Sequence, residues 1–441
     1  MNPVIRLGLA AGFVGGIAAC SVIDPISPAV QSGAAQFGVY VALGTSLGAG
    51  YSNGGLVRHH QMRSYTALFA RQAGAAAFTI PSIGDSGIPQ LLVLRSYAPL
   101  LITRAATPGA PLNSAQLSSY HNLSIPGALL VDVIDSTLYG RSPLFAIIQR
   151  GRGTLLQQAI GLSPTFVSFE FGANEVLSAA TQGSGTLVNP AFQPPQFAAM
   201  YTIAMNGLAA GAPNAELALF NVPDVTSIPF FTTFPPITLC NGAPTPLLHG
   251  PNADPLGPND LVLLSAGAAL AAGTGFPVGC TSYVSGAPGN GNGLGESLVL
   301  DASEQASIQG VITAYNAIID SVATNRGAAL VDLNALLNQV ANVGIRNGGQ
   351  VYTDDFITGG TFSLDGVHPT DLGYGIMANA MVDAVNARFG ATLPRVDLGA
   401  VATRGRYRIQ PSTGVPRVKP RVVGLDGVIR DLYGGLGTPI P

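Results

Sequence analysis

The chain has 441 residues, of which 47% are hydrophobic and only 10% charged, and its formal net charge is −3. This composition argues against disorder across the chain and allows one large domain with insertions, or two domains. There is no overall positive charge and no zinc-finger or helix-turn-helix motif, so the sequence predicts no nucleic-acid partner.

The amino terminus reads as an export signal. Arg6 supplies a positive charge, and residues 7–17 form an apolar stretch too short to span a bilayer well, which predicts a signal peptide over residues 1–19. The small residues before Cys20 resemble a bacterial lipobox. That resemblance implies cleavage before Cys20, lipidation of Cys20 and a tether over residues 20–36. Ordinary cleavage after residue 19 and a plain membrane anchor are the alternatives.

The lipoprotein interpretation also predicts a location. An exported, lipid-anchored protein belongs to the bacterial cell envelope, and the outer membrane is favoured over the inner one. The membrane, contacted through the lipid on Cys20, is then a partner, because several acyl chains give a stable anchor.

From residue 37 onward, strand and helix patterns alternate. Apolar, β-branched runs predict strands over 37–43, 165–171, 216–222 and 328–333. Helical periodicity covers roughly 63–76, 128–138, 195–210, 303–325 and 370–388. This alternation predicts an α/β fold with a central parallel sheet covered by helices on both faces.

Residues 225–300 interrupt the alternation with a Phe- and Pro-rich stretch and a Gly/Asn run. A long irregular stretch inside a compact domain is usually functional or disordered, and here we expect an ordered apolar lid or substrate-binding excursion. If Cys20 is lipidated, Cys240 and Cys280 remain as an even pair in an oxidising compartment, which predicts a disulfide bond. Two buried thiols are the alternative, and no metal site is predicted at these cysteines.

The carboxyl-terminal residues 391–441 predict a basic extension rich in Pro and Gly. Seven Arg and one Lys follow Leu393, with little apolar periodicity. Either a solvated tail or a segment that contacts an anionic surface fits this composition.

Ser46 is the candidate nucleophile, because it follows the first predicted strand in the Gly-rich segment 41–50. Open α/β sheets bind ligands at the carboxyl ends of their strands. A serine hydroxyl is a weak nucleophile until a base takes its proton. Taken alone, Ser46 could equally be a helix cap.

Asp365 and His368 supply the missing base. They lie three residues apart in a loop that contains Gly366 and Pro369, so the carboxylate can reach the imidazole. Such a contact fixes the tautomer of the imidazole and stabilises the imidazolium formed during acyl transfer. A turn or helix-cap role is the alternative for Asp365.

Two further residues provide hydrogen-bond donors. Gly127 precedes a helical pattern, and Asn174 follows the predicted strand 165–171. The backbone N–H groups of Ser46 and Gly127 and the side-chain amide of Asn174 are suited to form an oxyanion hole.

Taken in order, these segments resemble the SGNH (GDSL) hydrolase superfamily, in the manner of a bacterial lipoprotein esterase or lipase. The matching blocks are residues 44–47, Gly127, residues 172–175 and residues 365–368, and the resemblance spans about residues 37–390. It implies a flavodoxin-like three-layer α/β/α fold, no cofactor, and hydrolysis of esters, thioesters or O-acetyl groups. Thr45 and Glu175 depart from the family, which usually has Asp at both positions, but neither change removes a catalytic group.

Three other patterns compete with this interpretation. Residues 44–48 also fit the G-x-S-x-G elbow of α/β-hydrolases, but that elbow follows several strands and here only one precedes it. Residues 84–86 spell Gly-Asp-Ser more literally, yet flanking prolines predict a surface turn there. His59 and His60 are adjacent without an H-E-x-x-H motif, so we expect a solvated loop and no metal.

The sequence therefore predicts a serine esterase or lipase that acts on carboxylic esters. The Phe- and Pro-rich insertion favours an apolar acyl chain over an O-acetyl group as the substrate. The rival is a non-catalytic surface lipoprotein that uses the insertion to bind a partner. The joint presence of Ser46, Asn174, Asp365 and His368 argues against that rival.

Overall fold

A computed structural model describes residues 31–403 except 76, 98–99 and 188, so residues 1–30, with Cys20, and 404–441 lie outside the described residues. Its strands are β1 (Tyr40–Leu43), β2 (Leu92–Tyr97), β3 (Leu100–Arg104), β4 (Phe166–Phe169), β5 (Glu216–Phe220), β6 (Ile237–Cys240), β7 (Ala243–Pro246), β8 (Leu248–His249), β9 (Asp254–Pro255), β10 (Leu261–Val262), β11 (Val299–Leu300), β12 (Ala329–Val331), β13 (Ile345–Asn347) and β14 (Gln350–Tyr352).

The α-helices of the described residues are α1 (Ser46–Ala49), α2 (Arg58–Gln61), α3 (Tyr65–Gln72), α4 (Pro143–Gln149), α5 (Leu155–Gly161), α6 (Ala173–Ala180), α7 (Pro194–Gly211), α8 (Pro229–Thr232), α9 (Gly267–Ala271), α10 (Ala302–Arg326), α11 (Leu333–Asn342), α12 (Asp371–Phe389) and α13 (Leu398–Thr403). None of these helices combines the length and apolarity that crossing a membrane requires.

The central sheet is parallel, with the strand order β1-β4-β5-β12. Residues 121–123 run along the free edge of β1, where Asn122 forms a parallel bridge with Ala42 and the Leu123 N–H donates to the Ala42 carbonyl at 2.8 Å. Counting this short segment, the sheet follows the 2-1-3-4-5 order of flavodoxin-like folds. The predicted fold class is confirmed.

Helices cover both faces of the sheet. Alternate residues of a strand point to opposite faces, so each strand contributes side chains to both helical layers. Val41 and Leu43 of β1 pack in one buried cluster with residues of α7 and α10. Tyr40 and Ala42 pack in a second cluster with residues of α3 and α12. The site at the carboxyl end of β1 therefore rests on two packed layers.

Helix α10 shows how local sequence sets the element boundaries. The Asp301 carboxylate accepts the N–H groups of Ser303 and Glu304, both at 2.8 Å, and Glu304 accepts the Asp301 N–H at 2.9 Å. This capping box begins the helix, and Gly327 ends it in a left-handed conformation, at φ 65°. The predicted range 303–325 is confirmed to within a residue at each end.

The prediction of a helix over residues 128–138 is wrong. Only a 3₁₀ turn forms there, at Leu130–Val133. The Asp132 carboxylate accepts the Leu129 N–H at 2.7 Å, and the Asp135 carboxylate accepts the Thr137 N–H at 2.8 Å. Short acidic side chains that bond nearby backbone groups compete with helix formation.

The insertion at residues 225–300 folds onto the domain. It contains α8, α9 and β6 to β11, and Phe230, Phe231 and Phe234 are buried in the same cluster as Val41. Cys240 and Cys280 form a disulfide bond, as predicted.

The packed domain extends beyond the predicted 37–390. The Ala34 N–H donates to the Phe389 carbonyl at 2.8 Å, so the end of the predicted tether lies against α12. Leu393, Val396 and Val401 are buried, and α13 packs on α12. The prediction of an extension from residue 391 is therefore wrong for residues 391–403, because apolar side chains of this segment pack on α12.

Candidate active site

Ser46 is the first residue of α1, directly after the turn that leaves β1. Its side chain is not a helix cap, since Thr45 occupies the cap position. The Ser46 Oγ instead lies 2.9 Å from His368 Nε2. The hydroxyl that the sequence singles out therefore meets an imidazole 322 residues further along the chain.

His368 also contacts the second predicted partner. Its Nδ1 lies 3.1 Å from Asp365 Oδ2, while Asp365 Oδ1 accepts the N–H groups of Val367 at 2.9 Å and His368 at 2.8 Å. A proton on Nδ1, donated to the carboxylate, leaves the lone pair of Nε2 facing the Ser46 hydroxyl. In this tautomer the imidazole can accept the hydroxyl proton.

The Asp365 carboxylate is fully buried, and yet it stays acidic. Burial by itself would raise the pKa of Asp365, but the charge and hydrogen bonds of His368, with the Val367 N–H, outweigh it and lower the pKa below the usual value. Asp365 is therefore ionised at neutral pH and can stabilise a positive charge on His368.

Gly366 allows the loop between Asp365 and His368 to turn against the insertion. Its φ is 70°, and a Cβ there would lie 2.8 Å from a Leu264 methyl and 3.2 Å from the Phe230 nitrogen. The Phe230 N–H donates to the Gly366 carbonyl at 2.9 Å. The insertion thus contacts the loop that carries the histidine.

The predicted oxyanion donors follow neighbouring strands, at the end of the sheet where the strands have their carboxyl ends. Gly127 follows the 121–123 segment, and Asn174 lies in the first turn of α6, after β4. One N–H of the Asn174 amide donates to the Ala128 carbonyl at 2.7 Å, which leaves its second N–H available to a substrate. Within the described residues, the N–H groups of Ser46 and Gly127 have no acceptor.

Glu170 explains how the turn is held without the usual Asp at position 45. Its carboxylate accepts both the N–H and the hydroxyl of Thr45, each at 3.0 Å. Glu170 belongs to the segment after β4, and sequence analysis missed it because it lies 125 residues from Thr45. A carboxylate that follows a neighbouring strand thus lies beside the turn that carries Ser46.

Glu175, the second departure from the family, holds the Gly127 loop. Its Oε1 accepts the Leu130 N–H at 2.7 Å. Together with the bond from Asn174 to Ala128, this contact ties the loop to α6 at two points. Arg141 adds a third contact through the Gly127 carbonyl at 3.2 Å.

Both glutamates are fully buried, and burial raises the pKa of Glu170 and of Glu175 to about 7. Hydrogen bonds from Thr45 and Leu130 oppose that rise without cancelling it. Each carboxyl therefore titrates near neutral pH, unlike Asp365.

His59 and His60 do not lie in a solvated loop, and that prediction is wrong. Both belong to α2, and His60 is 3% exposed. His59 Nε2 lies 3.0 Å and His60 Nδ1 2.6 Å from the two oxygens of Asp371, at the start of α12. Burial alone would raise the pKa of Asp371, but the two histidines lower it.

These three residues are close enough to hold a metal ion, with ligand atoms within 4.8 Å of one another. However, Arg63 lies 3.3 Å from His59 Nδ1 and Asn53 lies 3.3 Å from His60 Nε2. Because Arg63 and Asn53 are the donors, each imidazole carries its proton on the nitrogen that faces Asp371. In this tautomer the contacts form a hydrogen-bonded cluster.

An apolar crevice of about 100 Å³, open to solvent on one side, is lined by chain neighbours of Ser46 and His368, although neither residue lines it itself. Leu47 follows the serine, and Val367 and Pro369 flank the histidine. The other walls come mainly from α11 and α12, and every lining residue except Thr361 and Gly373 is apolar.

The literal Gly-Asp-Ser segment lies elsewhere. Residues 85–87 form a turn, Ser86 has a φ of 75° and Asp85 is exposed. The predicted surface turn is confirmed.

The family model for GDSL-like lipases and acylhydrolases matches residues 40–381, which include Ser46, Gly127, Asn174, Asp365 and His368. The chain belongs to this family. Membership supports a hydrolase of ester substrates, and it agrees with the block order read from the sequence.

Solved structures that match the chain include a candidate GDSL-like lipase from Parabacteroides merdae ATCC 43184, with 12% identity over 80% of this chain and 97% of that chain, at a TM-score of 0.35. An extracellular lipase from Streptomyces rimosus has 14% identity over 78% of this chain and 98% of that one, at a TM-score of 0.34. No curated protein sequence matches the chain.

Proposed function

We propose that this protein is a serine esterase or lipase that hydrolyses carboxylic esters through Ser46, His368 and Asp365. The observation that carries the proposal is the continuous hydrogen-bond chain from Ser46 Oγ through both nitrogens of His368 to Asp365, with distances of 2.9 and 3.1 Å. Membership of the GDSL-like family supports ester hydrolysis independently of that geometry.

In the acylation step, His368 Nε2 takes the Ser46 proton as Oγ attacks the ester carbonyl. The negative charge on the carbonyl oxygen is received by the N–H groups of Ser46 and Gly127 and by the free N–H of Asn174. Asp365 stabilises the imidazolium. Collapse of the intermediate breaks the ester C–O bond, and His368 returns the proton to the departing alcohol.

In the deacylation step, water replaces the alcohol. His368 takes a proton from the water molecule, which attacks the acyl-Ser46 carbonyl through the same oxyanion contacts. Collapse of this second intermediate returns the proton to Ser46 and releases the carboxylic acid. No cofactor takes part in either step.

Ser46→Ala tests this assignment against the literal Gly-Asp-Ser serine. We expect Ser46→Ala to lower kcat on short p-nitrophenyl esters by at least about a thousandfold, because the nucleophile is lost. The matched variant Ser86→Ala should keep the parent rate. Parent-like turnover by folded Ser46→Ala would refute the mechanism.

We further propose that the acid part of the ester is an apolar acyl chain. The crevice beside Leu47, Val367 and Pro369 supports this choice, because its walls carry almost no polar surface. The insertion supplies one wall residue, Ile228.

A chain-length series of p-nitrophenyl esters tests the acyl proposal. Burying one methylene stabilises a complex by about 0.8 kcal/mol, so kcat/KM should rise about fourfold per added methylene until the crevice is filled. Highest activity on acetyl esters or acetylated sugars, falling with chain length, would contradict this proposal without affecting the role of Ser46.

We also propose that Cys20 anchors the mature protein in the cell envelope through lipid. The support is the apolar stretch and the small residues before Cys20 in the sequence. Mass spectrometry of the membrane fraction should find an N-terminal peptide that begins at a lipidated Cys20, and Cys20→Ala should abolish that modification. An unmodified mature terminus would exclude the anchor.

A further inference from the structure

The turn at residues 52–54 is hydrogen-bonded to the loop that carries Asp365 and His368. The Asn53 N–H donates to Ser363 Oγ at 2.9 Å, and the Gly54 N–H donates to Asp365 Oδ2 at 2.9 Å. Ser363 in turn donates to Asp365 Oδ1 at 3.0 Å. The orienting carboxylate is therefore held from a segment 311 residues away in the chain.

The Asn53 side chain adds a further contact to this loop. Its Oδ1 accepts the N–H of Leu364, the residue before Asp365, at 3.1 Å. Asn53 is 5% exposed and has a φ of 52°, a left-handed conformation that Asn tolerates better than most residues. The amide is therefore buried, and its orientation decides whether the Leu364 N–H has a hydrogen-bond acceptor.

His60 and Asp371 determine that orientation. Asn53 Nδ2 lies 3.3 Å from His60 Nε2, and His60 Nδ1 lies 2.6 Å from Asp371 Oδ1. The carboxylate can only accept, so the His60 proton belongs on Nδ1 and Nε2 must accept from the amide. With Nδ2 facing His60, Oδ1 faces the Leu364 N–H. A reversed amide would place two donors against each other at Leu364.

We propose that Asn53 is a positioning residue for the reaction, and that the buried pair His60–Asp371 acts through it. Asn53 holds the backbone of the catalytic loop at Ser363 and Leu364, and His60–Asp371 keeps the Asn53 amide in the orientation that this requires. The proposal rests on the proposed function of Ser46, Asp365 and His368, and it adds three residues that touch neither the substrate nor the reacting atoms.

The expected consequence is kinetic. A small displacement of Asp365 would misalign His368 with Ser46, and misplacement of a catalytic group by about 1 Å can cost about a hundredfold in rate. Substrate binding in the crevice does not involve Asn53, so KM should change little. The reactivity of Ser46 toward a fluorophosphonate should fall together with kcat, since both depend on the imidazole.

Asn53→Gly and His60→Ala are the test variants. Glycine keeps the left-handed backbone and the N–H to Ser363 but removes the amide. We expect each variant to lower kcat and the labelling rate of Ser46 about 10- to 100-fold, measured per folded molecule, with KM within about twofold of the parent. His60→Gln can accept from Asn53 and donate to Asp371, and it should recover part of the rate lost in His60→Ala.

His59→Ala is the matched control. It removes a contact at 3.0 Å to the same Asp371 carboxylate while leaving the His60–Asn53 pair in place, so its kcat should stay near that of the parent. Ser46→Ala, measured in parallel, shows whether the proposed function itself holds.

Parent-like kcat and labelling in folded Asn53→Gly and His60→Ala would overturn the positioning role, while an inactive Ser46→Ala would preserve the proposed function. An equal loss in His59→Ala and His60→Ala would also overturn it, because the effect would then come from Asp371 and not from the amide. If circular dichroism shows that the loss of activity comes entirely from unfolded protein, the positioning role would also be overturned.

Discussion

Buried acidic side chains hold the loops of this site at the two positions where the sequence departs from the family. Glu170 accepts two hydrogen bonds from Thr45, and Glu175 accepts one from Leu130, so each departure from the usual family Asp is matched by a carboxylate contact. Asp365 differs from both because its interactions with His368 lower its pKa, while burial dominates the pKa of the glutamates. Asp365 therefore responds to pH differently from the two glutamates.

Glu170→Gln tests the pKa of this group. Burial raises that pKa from 4.5 to about 7, so the folded protein holds a proton that the unfolded chain releases between these values. Rising pH through this window therefore lowers the stability of the parent, by up to about 3 kcal/mol from Glu170. Urea unfolding at pH 4.5 and pH 8 should show a smaller loss of stability in Glu170→Gln.

Glu296→Gln is the control for this experiment, because it makes the same substitution at a carboxylate that is 70% exposed. Identical pH dependence of unfolding in the parent and Glu170→Gln would show that burial does not raise the Glu170 pKa.

At the scale of elements, the sequence predicted the segments whose patterns are local. The four strands of the central sheet and the helices α7, α10 and α12 lie where periodicity placed them, since each has a regular buried face or clear end signals. Helix α6 was not predicted because its 8 residues are too few for a clear helical period.

The proposal that an apolar acyl chain binds in the crevice between α11 and α12 can be tested by changing a residue of α11. Val340 of α11 lines the crevice, so Val340→Phe should reduce kcat/KM on long-chain esters while leaving short-chain esters near the parent value. Val343→Phe introduces the same side chain at a position that is 68% exposed and outside the crevice, and it serves as the control. Equal losses on all chain lengths would place the acyl chain elsewhere.

At the scale of the whole molecule, the site joins segments from both ends of the domain. Ser46, Asp365 and His368 were predicted because a nucleophile, an acid and a base form a recognisable set in a known order. Glu170, Asn53 and the His60–Asp371 pair were not predicted, because their contacts span 7 to 311 residues and carry no local sequence pattern. His60 in particular was misread as solvated, since only the folded chain brings Asp371 beside it.

Fluorophosphonate labelling of the folded protein, followed by peptide mass analysis, tests the central claim most directly. The probe bonds to a serine whose proton a neighbouring base can take. The parent should be labelled at Ser46 alone, and Ser46→Ala should remain unlabelled. Absence of labelling in the folded parent, or labelling of another serine such as Ser86, would contradict the assignment and favour a non-catalytic binding protein with the same fold.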